Sequence, residues 1–185
     1  MDSLLKVLGT YELFVNLFPG VIFIGLAPES FQRMIEKDNV IIFLCISYFI
    51  GVIINRISSL VLEWLLVSKI KVVKYAPYRD YLNAEAIERS RNEHKLDELT
   101  RINNLYRALA SLCICLIMVH GYYDTPWSYL FISNSCILGS LFCTFVWNNK
   151  FYWMLLLIFI KAFSKQTGYI RARVEAYLEK GEKTK

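Results

Sequence analysis

Three charged side chains and one amide stand where apolar runs begin or end. Glu12 and Asn16 lie one helical turn apart in YELFVNLFPG, Arg56 closes VIIFLCISYFIGVIINR, and Arg107 opens LYRALASLCICLIMVHG. A lone carboxylate at the edge of an apolar run is costly, so pairing is the expected solution. Glu12 is therefore expected to pair with Arg56 or Arg107 and fix helix register. The sharper alternative turns some of these charges toward a water-filled pathway. Asn16 can hydrogen-bond across helices. Pro19 and Gly20 follow at once and predict a kink. Pro19 frees a backbone carbonyl near Val15, and Gly20 admits a close neighbour.

Other reactive residue types offer less. Arg89 and His94 form an R-x4-H spacing, the arrangement with which helical ribonuclease domains handle a scissile phosphate. Here it sits in the most charged stretch of the chain, which reads as a solvated face. The five cysteines, Cys45, Cys113, Cys115, Cys136 and Cys143, all fall in apolar runs without metal spacing. With two histidines far apart, His94 and His120, no metal site and no cofactor is expected. There is no Gly-rich phosphate loop, G-x-S-x-G or H-E-x-x-H, so the chain does not read as an enzyme.

These residues need helices in lipid to position them. Of 185 residues, 56% are hydrophobic and 20% charged, more apolar surface than a single soluble domain hides. The charges crowd into 63–107 and 161–185. The expected fold is all-α, a polytopic membrane bundle with four spans near 8–27, 39–56, 105–121 and 127–147. Helical extensions, 57–104 and 148–185, are expected in the cytoplasm. MDSLLKVLGT shows no cleavage site, which predicts that the first span is retained.

Lys and Arg set the expected orientation. Eight fall in 68–104 and eight more after Trp147, against two in 28–39 and none in 121–127. Both basic segments are then cytoplasmic, and both termini lie inside. Tyr122, Tyr123, Trp127 and Tyr129 are expected at the outer interface, with Trp147, Tyr152 and Trp153 at the inner one. The second span should continue as a helix beyond Arg56. FYWMLLLIFI, 151–160, reads as an extension of span 4, an interfacial segment or a fifth span. Phe163, Thr167, Ile170, Val174 and Tyr177 share one face of an amphipathic tail. Span 4 carries small residues, Ser133, Cys136, Gly139, Ser140 and Cys143, suited either to packing within a subunit or to an oligomer seam.

The Asn and Pro-Gly of the first span, the second span running into a basic helix, and RINNLYRAL opening the third resemble small multi-pass proteins of bacterial anti-phage islands. These include the Kiwa membrane subunit and the membrane accessory proteins of type VI CRISPR loci. The resemblance implies a homo-oligomer in the bacterial inner membrane. It would act as sensor, anchor or pore and dock a cytoplasmic protein, and the accessory proteins' R-x-H pattern would fall on Arg89 and His94. The net charge of +5 is explained by topology, so direct binding of nucleic acid is not expected. The competing readings are a housekeeping transporter or channel subunit and a membrane-tethered nuclease using Arg89 and His94.

Overall fold

The computed structural model describes residues 10–33, 35, 39–71, 73–91, 93–124 and 145–182, and these form helices without strands. In chain order they are α1 (Thr10–Leu26), the short α2 (Glu29–Gln32), α3 (Val40–Ile57), α4 (Tyr78–Ser90), α5 (Lys95–Asp124) and α6 (Lys150–Glu182). The small-residue stripe of the expected fourth span, Ser133 to Cys143, lies outside the described residues.

Local chemistry sets the helix ends. Asn39 caps α3, its Oδ1 accepting from the amides of Ile41 at 3.1 Å and Ile42 at 3.3 Å. At the other end α3 runs on past Arg56 through two wider π-helical turns, Ser58–Leu62 and Leu65–Lys69. Pro19 lies inside α1 without interrupting it. The last carbonyls of α1 are satisfied by side chains. Gln32 Nε2 donates to Gly25 at 3.2 Å and Ala27 at 2.8 Å, and His120 Nε2 donates to Leu26 at 2.9 Å.

The chain divides into two compact units, residues 1–58 with 108–158, and residues 59–107 with 159–185. In the first unit α1 lies antiparallel on α3 at backbone distance. A Cβ at Gly20 would fall on the carbonyl oxygen of Ser47, and one at Gly51 on that of Asn16. Phe23, Ile54, Leu112 and Leu116 form the core beside this crossing. In the second unit Ala84 and Leu96 pack with Ile170, Val174 and Tyr177.

The first unit distributes polarity the wrong way round for water. Val40, Ile41, Phe49, Ile53, Met118 and Leu157 are exposed, while Ser47 and Ser111 are fully buried. Two stretches, Val40–Lys69 and Lys95–Tyr123, are helices long and apolar enough to cross a membrane. Neither is mostly buried, as the core helix of a water-soluble protein would be.

One placement differs from the sequence reading. Tyr152 was expected at the inner interface, far from the outer end of span 3. Its ring stacks on His120 with centroids 5.2 Å apart, and His120 bonds the last turn of α1. Phe145 likewise abuts Gly121. Tyr152 therefore belongs to the Leu26 end of the first unit, opposite the Asn16 end. Hydropathy located an apolar run at 151–160 but could not tell at which end of the first unit it begins.

Gly20→Ala and Gly51→Ala should each destabilise the detergent-solubilised protein by about 1–3 kcal/mol in reversible unfolding, since each added methyl meets backbone. Gly25→Ala, with open space around it, should be neutral or slightly stabilising.

Candidate functional site: polar clusters in the two units

In the first unit the amide foreseen as a cross-helix donor or acceptor finds its partner. Asn55 Nδ2 donates to Asn16 Oδ1 at 3.0 Å. The pair lies one turn from the Gly20/Gly51 contact, so Asn16, Gly20, Ser47, Gly51 and Asn55 form one strip at four-residue spacing along both helices. Pro19 is buried beside it. Ser47 Oγ turns back onto its own helix, donating to Phe43 at 2.7 Å. The backbone of Glu12 is helical, and Arg56 is exposed.

Arg107, one of the two arginines expected to meet Glu12, also has a carboxylate partner further along the chain. Its guanidinium pairs with Glu63, from the helical extension after Arg56, and both belong to the second unit. The reach of 44 residues is what hid this pair from the sequence. Tyr75 lies beside them, its phenol close enough to feel both charges. Burial pushes the Tyr75 phenol well above its ordinary range, and the Glu63 carboxylate pushes the same way. Around this triad opens a cavity of about 340 Å³, with Tyr78, Tyr81, Thr100, Asn103 and Asn104 on its walls. Tyr81 and Thr100 share a hydrogen bond of 3.2 Å between their hydroxyls. Asn103 is buried and accepts through Oδ1 from Thr167 Oγ1 at 3.2 Å, tying α5 to α6.

A second cluster sits at the start of α5. Glu88 is 2% exposed, yet its carboxylate is held by the Leu96 amide at 2.9 and 3.1 Å and by the Tyr177 hydroxyl at 3.2 Å. It thus satisfies an orphan donor of α5 from the preceding helix, where a negative charge is favourable. The Tyr177 hydroxyl also lies 2.6 Å from Glu93 and accepts from Arg173 Nη2 at 2.8 Å. Arg173 in turn pairs with Glu93 at 3.1 Å. The hydrogen bond from Tyr177 holds the Glu93 carboxyl below the usual range, helped by the nearby Arg173, Lys95 and Arg91 charges. Burial, then Glu93, pushes the Tyr177 phenol up to about 12. Nothing in the sequence marked Glu88, which is one acid among many in its segment.

Arg89 is held by Glu85 at 2.6 Å on its own helix, and His94 is exposed just before α5. No group of three or more metal-binding side chains occurs among the described residues. Comparison with known family models, with curated proteins and with solved structures finds no match.

The Glu93 carboxylate contributes stability above its unfolded pKa, which is lost as pH falls through its lower folded value. Heat denaturation followed from about pH 6 to about pH 3 should therefore show a fall in melting temperature that is shallower in Tyr177→Phe. An identical slope would show that Tyr177 does not set the carboxyl's affinity for protons.

Proposed function

We propose that the chain is a four-pass membrane anchor with both termini in the cytosol, docking a cytoplasmic partner through its second unit. The observation that carries this reading is the inverted polarity of the first unit. Large apolar side chains face outward, while Asn16 and Asn55 are spent on one another. A strip consumed in helix packing supports an anchor over a pore lined by the same residues. In the second unit Lys and Arg outnumber Asp and Glu by sixteen to ten, which suits a partner with an acidic surface.

The crossings in this proposal are α1, α3, the apolar part of α5 and the first half of α6. Lys150, Phe151 and Tyr152 start α6 at the outer face, the end shared with Leu26 and His120, so α6 itself makes a crossing toward the cytosol. The basic tail then stays inside, as the Lys and Arg distribution requires. Resemblance to membrane proteins of anti-phage islands supports a place in such a system, as sensor or anchor in the bacterial inner membrane. Self-association through Ser133, Cys136, Gly139, Ser140 and Cys143 belongs to the same proposal.

In a cysteine-free background, Asn148→Cys should react in intact cells with a membrane-impermeant maleimide, and Lys165→Cys should react only after permeabilisation. Protection of position 148 would return the fourth crossing to 127–147. Induced expression of the wild type should leave the membrane potential unchanged by dye fluorescence. Depolarisation that Asn16→Leu abolishes would favour a pore. Deleting the chain in its native host should raise phage plating efficiency, and unchanged plating would remove the defence role.

A further inference from the structure

The cavity over Glu63 and Arg107 has more hydrogen-bond donors than it uses. Asn103 is 5% exposed and lines it. Its Oδ1 is taken by Thr167, while Nδ2 has no partner among the described residues. The side-chain amide of Asn104, on the same wall, makes no hydrogen bond among the described residues. Arg107 lines the same cavity, and its Nε is buried without a partner. A buried N–H left unpaired is destabilising, so this wall suits a ligand that brings acceptor oxygens.

Charge narrows the ligand further. An anion alone would meet the Glu63 carboxylate, and a cation alone would meet the Arg107 guanidinium. A molecule carrying both charges meets each with its opposite. Tyr75, Tyr78 and Tyr81 supply aromatic surface near Glu63, a setting that attracts an ammonium group. Donors from two amides and a guanidinium approach from different side chains, which matches a tetrahedral phosphate better than a flat carboxylate. A volume of about 340 Å³ holds a head group rather than a large metabolite.

We infer that this cavity binds a small zwitterion of the phosphoethanolamine class, its phosphate toward Asn103, Asn104 and Arg107 and its ammonium toward Glu63 and the tyrosines. The site lies wholly within the second unit and does not depend on the anchoring role. Two sources share this chemistry, a soluble phosphoethanolamine ester and the head group of a zwitterionic phospholipid.

The full chain, purified in detergent, should be titrated calorimetrically with glycerophosphoethanolamine, and with glycerophosphoglycerol and ethanolamine as single-charge controls. In parallel, its melting temperature should be measured in nanodiscs of phosphatidylethanolamine and of phosphatidylglycerol. Tyr78→Ala removes a ring that is 76% exposed, and Asn104→Leu removes the free amide, so neither should lower the melting temperature in detergent. Binding of glycerophosphoethanolamine alone among the three, weakened about fivefold or more by each variant, supports the site with a soluble ligand. Stabilisation only by phosphatidylethanolamine discs, lost in both variants, supports it with a lipid head group. Binding in neither arm, equal response to the glycerol compounds, or insensitivity to both variants would overturn it.

Discussion

The first unit depends on one steric constraint, the contact of two helix backbones at Gly20 and Gly51. Because neither residue has a side chain, α1 and α3 approach until the carbonyls of Asn16 and Ser47 occupy the space a Cβ would need. That closeness lets the short Asn16 and Asn55 side chains meet and satisfy each other. Between helices surrounded by apolar side chains there is little hydrophobic gain in association, so packing and hydrogen bonds must hold the pair. The acid, amide and Pro-Gly of the opening run look out of place in an apolar helix. The amide and the glycine are the parts of that helix that face protein.

The second unit solves the opposite problem. Its surface is charged, and it buries charge as well as apolar side chains. Glu88 is tolerated at 2% exposure because the Leu96 amide and the Tyr177 hydroxyl both donate to it. Both donors come from other helices, so α4, α5 and α6 are tied to one another through this single group. The Glu63–Arg107 pair differs in being only partly enclosed. It faces a cavity rather than a packed core, which leaves it able to take up another charged group.

Much of the local structure was legible in the sequence, and much of the pairing was not. The continuation beyond Arg56 and the buried face from Phe163 to Tyr177 follow from helical period. Periodicity says which face of a helix is apolar but not which distant residue meets it. Arg107 could be assigned a carboxylate partner, yet Glu12 and Glu63 stood at similar distances from apolar runs. Only the path of the chain after Arg56 brings Glu63 round. Tyr152 was misplaced for a related reason. An apolar run of ten residues has no direction until the helix continuing from it is known to extend without interruption from Lys150 to Glu182. The R-x4-H spacing had no such support, and Arg89 is engaged by Glu85.

The central claim is that the polar strip of α1 is turned to α3 of the same chain. Cysteines placed at Asn16 and Asn55 in a cysteine-free background test it most directly, by oxidation in native membranes followed by non-reducing electrophoresis. An intramolecular disulfide is expected, with the protein migrating as a monomer and its thiols blocked. Covalent dimers, or thiols that stay open to a water-soluble maleimide, would show that the strip faces another subunit or an aqueous path.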